Sequence, residues 1–406
     1  MGGDDPGAGL NGEYVLAVNA GSSSLKCALF QTVGNAQRNG ADQPQQTVSF
    51  KVLERLHLET GAGAESRTAS NLQELLDRHA IGQEPDQLRG IGHRIVHGGT
   101  RYTQPALITP EILSDLRHLT PLAPEHEPAE LDLVAALRTR FPGVPQVACF
   151  DTAFHRDLPR RARLLPIPRR YFDAGVRRYG FHGLSYEYLM EELIRLGDPA
   201  ATNGRVILAH LGNGASLAAV RDGKCIDTSM AFTPAAGLVM GRRSGDLDPG
   251  LISYLARTER VSPQDFDAIV NHESGMLGVS ETSSDMRELL ALEGTDSRAA
   301  EAVALFCYQA SKWIGAFAAA LGGVDTLVFA GGIGEHCAPA RQRICANLGF
   351  LGLAFDEARN DATAAVISQD VSRVTVRIIA TDEELMIARS ACRLLGLGAS
   401  VQKATA

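Results

Sequence analysis

The sequence is short of what a disulfide-built, membrane-spanning or polyanion-binding protein needs. Seven cysteines, at 27, 149, 225, 307, 337, 345 and 392, form no C-x-x-C pair, and an odd number cannot pair completely. Reduced thiols in a cytoplasm fit better than a disulfide framework or a zinc site. A basic excess is absent too: 39 Lys and Arg face 47 Asp and Glu, a net charge of −8. That balance argues against a nucleic-acid or anionic-membrane partner, and any anionic ligand must be met by cations gathered locally. The most apolar helix-like stretch, 299–322, carries Glu301, Gln309, Lys312 and Trp313, so it reads as a buried amphipathic helix and not as a membrane span. The opening MGGDDPGAGLNGE lacks the basic start and apolar middle of a signal peptide and reads as a frayed arm. What is present is a chain of 406 residues, 45% hydrophobic and 21% charged, long enough for two cores, so two domains are expected.

The organising stretch is LAHLGNGASL, Leu208 to Leu217, an apolar strand, a glycine-punctuated polar turn and a second apolar strand. Gly212 and Gly214 at such a turn let bare backbone N–H groups approach an anion. VLAVNAGSSSL, Val15 to Leu25, has the same grammar, with Gly21 aligning on Gly212 and Asn19 on His210. The pair suggests a duplicated domain holding a nucleotide phosphate chain, although ordinary hairpins share this composition.

Between and beyond these turns the chain offers further candidates. A polar stretch at Gln31–Gln46, a strand at Thr47–Leu53, a loop at Gly61–Ser70 and a helix at Asn71–His79 follow the first hairpin. The strand Leu88–Val96 brings Arg94 to a glycine-flanked end, where it either enters a binding site or makes a surface ion pair. PLAPEHEP, 121–128, opens a helix over about 129–138, and the strand Val144–Phe150 delivers Asp151 at its carboxyl end. Open α/β sheets bind ligands at that edge, while a helix N-cap is the alternative for Asp151. RRYGFHGLS, Arg177 to Ser185, sets aromatics and His182 among glycines ahead of a helix at Tyr186–Leu196. Such a stretch suggests a shaped pocket wall, with a structural histidine as the other reading. The long loop Ser229–Pro249 has the length of a functional segment and holds Arg243 in its most polar part. Helices are expected at 249–258, 263–274 and 299–321, with Asp285 at the head of another. The strand Asp325–Ala330 runs into GGIGE, a weak anion-turn pattern, and the strand Val374–Ile379 into Glu383 and a helix at 384–395. A carboxylate at that strand end either holds Mg2+ through water or caps the helix.

Taken together, NAGSSSLK (19–26), GHRIVHGG (92–99), FDTAFH (150–155), RRYGFHG (177–183), HLGNGAS (210–216), MGRRSGDLDP (240–249), SSDMR (283–287), GGIGE (331–335) and EELMIAR (383–389) resemble the acetate kinase family, in that family's order. That family lies within the superfamily of acetate and sugar kinases, Hsp70 chaperones and actin. The resemblance implies an α/β fold of two duplicated RNase-H-like (actin-like ATPase) domains hinged around an interdomain cleft. It places residues 1–151 with 385–406 in an N-terminal domain and 152–384 in a nucleotide-binding one. It also implies a cytoplasmic homodimer. Asn19 and Glu383 would organise Mg2+ or Mn2+. ATP would be held by Lys26, by His210, Leu211, Gly212, Asn213 and Gly214, by Asp285, Met286 and Arg287, and by Gly332, Ile333, Gly334, Glu335 and His336. Arg94 and Arg243 would hold a short carboxylate, with Val96, Phe181 and Pro234 around its alkyl end, and Asp151 and His182 would join the two arginines in catalysis. The implied reaction turns acetate and ATP reversibly into acetyl phosphate and ADP.

These residue types suit that chemistry. A carboxylate is already ionised at neutral pH, so the reaction needs charge neutralisation and not a strong base. Several positions depart from the family's usual pattern. Glu125 stands for an apolar residue in APEHEP where APLHNP is common, Arg242 for a threonine, Ala235-Ala236 for a bulkier acidic pair, and His336 for an asparagine. Acyl-chain and nucleotide preference are therefore the properties most open to change. Propionate or butyrate kinase is the near alternative, and a sugar or glycerol kinase, which needs a base for a neutral hydroxyl, is the remote one. An Hsp70- or actin-like binding module is a third reading, for which nothing after Glu384 supplies a peptide-binding domain.

Overall fold

A computed structural model of the protein describes residues 13–21, 24–33, 49–59, 64–79, 81 and 87–397. The N-terminal arm, the turn residues Ser22 and Ser23, most of the polar stretch after Val33, and residues 61–63 of the expected loop lie outside the described residues. The chain divides into two compact units, Met1–Ala153 with Glu383–Ala406, and Phe154–Asp382.

In the first unit the sheet order is β3-β2-β1-β4-β6-β5, with β1 Glu13–Ala20, β2 Ser24–Val33, β3 Ser49–Glu59, β4 Leu88–Ile95, β5 Ala106–Leu107 and β6 Gln146–Phe150. The first three strands form an antiparallel meander, and β4 then runs parallel to β1 and β6 parallel to β4. The interior of β1 is buried on both faces because helices cover both. Tyr14, Leu16 and Val18, at the two-residue period of a strand, pack with Leu72, Leu75, Leu133 and Leu137 from the helices Ala64–Arg78 and Glu127–Arg140. The opposite face receives the closing helix Glu383–Leu395. Glycine permits this approach: a Cβ at Gly92 would stand 2.5 Å from Ile387 Cγ2, and one at Gly90 2.5 Å from Leu395 Cδ1.

The second unit repeats the pattern as β11-β10-β7-β8-β9, with β7 Arg205–Leu211, β8 Ala215–Arg221, β9 Lys224–Thr228, β10 Thr326–Ala330 and β11 Thr375–Ile378. Again three antiparallel strands are followed by two parallel ones. The helix Gly183–Arg195 lays Tyr186, Leu189 and Leu193 against Val206, Leu208, Val220 and Val328, and the long helix Ser297–Leu321 packs on β7 and β8. The duplication expected from the two turns is therefore present in strand order. Asn19 and His210 are each the penultimate residue of their unit's first strand, paired across the hairpin with Lys26 and Ser216.

Several elements differ from the sequence reading. The loop expected at Gly61–Ser70 is helical from Ala64 onward, continuing into the amphipathic turn that supplies Leu72 and Leu75. The helix expected at 263–274 stops at Ala268 and widens into a π turn, Ile269–Glu273. The strand expected to end at Leu53 continues to Glu59, where a solvent-facing charged edge hides the strand period.

Candidate active site

In the first unit the site is built at the carboxyl ends of β4 and β6. Arg94 is the penultimate residue of β4, and Asp151 follows directly on β6, its N–H donating to Ile95 O at 2.9 Å. Adjacent parallel strands thus deliver a guanidinium and a carboxylate side by side. Arg94 Nη2 donates to Asp151 Oδ2 at 2.9 Å, and Nη1 to Ala20 O at 2.7 Å and to Glu130 Oε1 at 3.2 Å. The pair is no surface contact, since the side chains of Arg94 and Asp151 are 12% and 1% exposed. Burial works against the charge on Arg94, but Asp151, Glu130 and Glu383 outweigh it and hold the group more firmly protonated than usual. Three of its five N–H donors go to these acceptors, and the other two have no protein partner among the described residues. Sequence reasoning passed over Glu130. A glutamate in the first turn of a proline-started helix reads as a complement to the helix dipole, and nothing local marks it as reaching Arg94.

Asn19 Nδ2 donates to Glu383 Oε2 at 2.9 Å and to Glu384 Oε1 at 2.7 Å, which fastens the start of the closing helix to the end of β1. Arg55 pairs with the second oxygen of Glu384 at 3.0 Å. Burial and the nearby Asp151 raise the pKa of Glu383, opposed by Arg94, Asn19 and Lys26. Asn19 Oδ1 and this acid, in a neighbourhood rich in carboxylates, fit a hard divalent cation. Among the described residues no group of three or more His, Cys, Asp or Glu could hold a metal alone. Lys26 is exposed on β2, and Val96 is buried just past β4.

In the second unit the hairpin β7–β8 places Gly212, Asn213 and Gly214 at its turn. The turn is closed by Gly212 N–H on Gly214 O at 3.0 Å and pinned by Gly241 N–H on Asn213 O at 3.0 Å. His182 precedes the helix Gly183–Arg195 in the left-handed region, φ 57°, a strained state for a non-glycine residue. Its Nδ1 lies 2.8 Å from Ser216 Oγ, and its ring stacks on His210 at 4.3 Å between centroids. His210 Nδ1 lies 2.8 Å from Ser185 Oγ, which also reaches Thr381 Oγ1 at 2.8 Å. A Cβ at Gly214 would come 3.3 Å from His182 Nε2 and 3.7 Å from Arg243 Nη1, so turn, histidine and arginine meet at one corner. Arg243 Nη1 also approaches Pro234 O at 3.4 Å. Phe181 is buried, its carbonyl 3.0 Å from His155 Nε2.

The remaining nucleotide candidates are placed unevenly. Gly332 is the second residue of the short helix Gly331–His336 and lies near Gly212, at which a Cβ would be 3.8 Å from Gly332 N. Glu335 Oε1 accepts from Gly331 N at 2.9 Å and Thr381 N at 3.1 Å, so that oxygen fastens the turn. Asp285 caps the helix Met286–Leu292 through Arg287 N at 2.8 Å and also pairs with the exposed Arg287 side chain. The Met286 side chain is buried, as are Leu211 and Gly334, whereas His336 is exposed and Ile333 half-buried. Glu125 is exposed, and Arg242 is exposed beside the half-buried Arg243.

Two units that share a five-strand order, each ending its first strand in a polar turn, have the duplicated α/β architecture of the actin-like ATPase fold. The sequence model of the Acetokinase family matches residues 14–389. A propionate kinase of Citrobacter rodentium is 42% identical over 94% of this chain and 96% of its own length. An acetate kinase of Methylocella silvestris is 41% identical over 94% and 98%. The crystal structure of Porphyromonas gingivalis acetate kinase superposes with a TM-score of 0.81 at 36% identity, covering 94% of this chain and all of that one, 100%. A propionate kinase structure from Francisella tularensis gives 0.82 at 34%, covering 94% and 99%. The chain belongs to the acetokinase family, and it is an ATP-using phosphotransferase.

Proposed function

We propose that the chain transfers the γ-phosphoryl group of ATP to acetate, giving acetyl phosphate and ADP by direct in-line displacement, in the cytoplasm and as a homodimer. The observation that carries this reading is Arg94, a buried and permanently charged guanidinium clamped by Asp151 and Glu130 with two donors uncommitted. Those donors suit the two oxygens of a carboxylate. Arg243 shares the acceptor, and Val96, Phe181 and Pro234 border its alkyl end.

Transfer between two anions requires that charge on the equatorial oxygens of the moving group be met by fixed donors. Arg94, Arg243 and His182 supply them. His182 is held by Ser216 and the His210 stack, so it need not reorganise as charge develops. Asp151 orients Arg94 and is not required as a base, since the acceptor arrives ionised. Mg2+, or Mn2+ in its place, neutralises phosphate charge when bound, and Asn19 and Glu383 would hold it. Lys26, His210 to Gly214, Asp285 to Arg287 and Gly332 to His336 form the ATP side of the site.

Propionate is the second reading. Ala235 and Ala236 take little room beside Pro234, and one methylene is worth only about 1–3 kcal/mol of discrimination. The test is an ATP-dependent hydroxamate assay with acetate, propionate, butyrate and glycerol side by side, with Arg94→Ala as control. Highest kcat/KM for acetate, lost in the variant by a factor on the order of a hundred or more, is the expected result. A longer acid in first place moves the assignment to it. ATP hydrolysis without any carboxylate turnover refutes the acceptor roles of both arginines.

A further inference from the structure

One carboxylate in the first unit touches two parts of the acceptor side at once. β4 ends at Ile95, so the Val96 N–H is the first beyond the strand ladder, and Glu130 Oε2 accepts it at 2.8 Å. The other oxygen of Glu130 accepts from Arg94 Nη1 at 3.2 Å. A single rigid group therefore fixes the distance between a guanidinium and the backbone of the residue two positions on. Glu130 itself is 4% exposed and rises from the first turn of the helix Glu127–Arg140, which proline at its second position helps to start.

We propose that Glu130 is a positioning residue that sets acyl-chain selectivity by holding Arg94 and Val96 in fixed relation. The inference rests on the acceptor roles given to those two residues above. If Arg94 binds the carboxylate and Val96 borders the alkyl end, the space for the alkyl chain is measured between them. Loosening their shared tether relaxes that measure and admits a longer chain.

Two substitutions separate tether from charge. Gln in place of Glu130 keeps the shape but offers one acceptor oxygen and one amide donor, while Arg94 Nη1 and Val96 N are both donors. One of the two contacts must be lost. Asp keeps the charge and both oxygens but is one methylene shorter, so it cannot span both donors from the same backbone. A tether therefore fails in both variants. A role as counter-charge alone fails only in Glu130→Gln, and its loss would tighten acceptor binding by leaving Arg94 more positive. Glu127→Gln is the control, because Glu127 lies one turn earlier on the same helix and its carboxylate makes no hydrogen bond to Arg94 or Val96.

The experiment measures kcat and KM for acetate, propionate, butyrate and ATP in the full-length wild type, Glu130→Gln, Glu130→Asp and Glu127→Gln, with thermal melting alongside. In both Glu130 variants the acceptor KM is expected to rise about five- to tenfold, the scale of a lost charge-assisted contact. The propionate-to-acetate ratio of kcat/KM should rise about threefold or more, while ATP KM and the Glu127→Gln profile stay unchanged. A general loosening of the unit would lower all acceptors alike. An unchanged ratio in both Glu130 variants overturns the proposal, as does a tighter acceptor KM confined to Glu130→Gln. So does loss of fold in Glu130→Gln with normal selectivity in Glu130→Asp. Wild type that turns over no short carboxylate refutes the acceptor assignment itself, a result distinguishable from normal turnover with unaltered selectivity.

Discussion

Glu127 provides the sharpest test of the physical reasoning, because its environment favours the wrong protonation state for a glutamate. It opens the helix Glu127–Arg140, is fully buried, and neither of its oxygens has a hydrogen-bond partner. Burial first, and the neighbouring Glu130 second, push its pKa from the ordinary 4.5 up to about 8. The helix N-terminus favours an anion, but an unsolvated charge costs more than that dipole returns. The sign follows directly. Below pH 4.5 the acid is neutral in both folded and unfolded chains. Between there and about pH 8 the unfolded chain sheds a proton that the folded one keeps. Stability is thus fully present at low pH and lost as pH rises through that window, at about 1.4 kcal/mol per pH unit. The ceiling is ~5 kcal/mol, and water penetration and relaxation around the acid bring the expected loss nearer ~2 kcal/mol. Glu127→Gln removes the titration. Urea unfolding of the full chain at intervals from about pH 5 to pH 9 should show the two proteins within ~1 kcal/mol at the acid end. At the alkaline end the variant should be more stable by ~2 kcal/mol or more. Taking the difference at each pH cancels groups distant from this site. Parallel curves across the whole range would refute the claim that a buried, unpaired acid is carried neutral in the fold.

Other expectations are direct. Gly214→Ala puts a methyl 3.3 Å from His182 Nε2 and 3.7 Å from Arg243 Nη1. In a coupled ADP-release assay this should cost about tenfold or more in kcat/KM, the scale of a displaced reacting group, with little change in melting temperature, and undiminished turnover would sink the assignment of that corner. Gly331→Ala demands φ +74° and brings Cβ within 2.8 Å of Leu211 O. It should destabilise the chain by roughly 2 kcal/mol or more, read as a lower urea midpoint. His93, buried with Nε2 2.9 Å from Gln146 Oε1, is held neutral by burial, its pKa lowered from 6.5 to about 4. The stability it confers is present above pH 6.5 and lost as pH falls toward 4, so its NMR titration should show no protonation at pH 6.

The parts of the fold that the sequence made legible are those where a local pattern and a long-range need coincide. VLAV and VILA, 15–18 and 206–209, are apolar on every residue because β1 and β7 are covered on both faces, and the glycines at 212 and 214 mark the turn that follows the second of them. The helix Ala64–Arg78 was obscured because its first half is small and polar, and its apolar side appears only from Leu72. Arg94 and Asp151 could each be suspected from position at a strand end, but a parallel pairing 57 residues apart in sequence is needed to bring them to 2.9 Å. Glu130 was hidden for the same reason, since its two partners lie 34 and 36 residues upstream and a helix-start glutamate has an ordinary explanation. Glu335 and Asp285 show the converse: residues that resemblance marks for ATP spend visible hydrogen bonds on their own turns.

The arrangement around Asp151 also bears on which acceptor the site can take. A kinase acting on a sugar must remove a proton from a neutral hydroxyl as the phosphoryl group arrives, and needs a carboxylate oxygen directed at that hydroxyl. Here Asp151 Oδ2 is directed at Arg94 Nη2, and the guanidinium in turn is braced by Glu130 and Ala20 O. A carboxylate that spends an oxygen on a buried arginine holds that positive charge in place. Positive charge aimed by such a frame is useless to a neutral alcohol and necessary to an anion that must approach another anion. On the proposed reading such a frame suits an acceptor already ionised. An Asp151→Asn variant, which keeps one acceptor oxygen for Arg94 and abolishes any base, separates the cases. For a carboxylate acceptor it should raise acceptor KM and leave the pH dependence of kcat flat above neutrality. A group that must lose its proton in the reaction would instead show kcat collapsing by about a hundredfold or more at every pH.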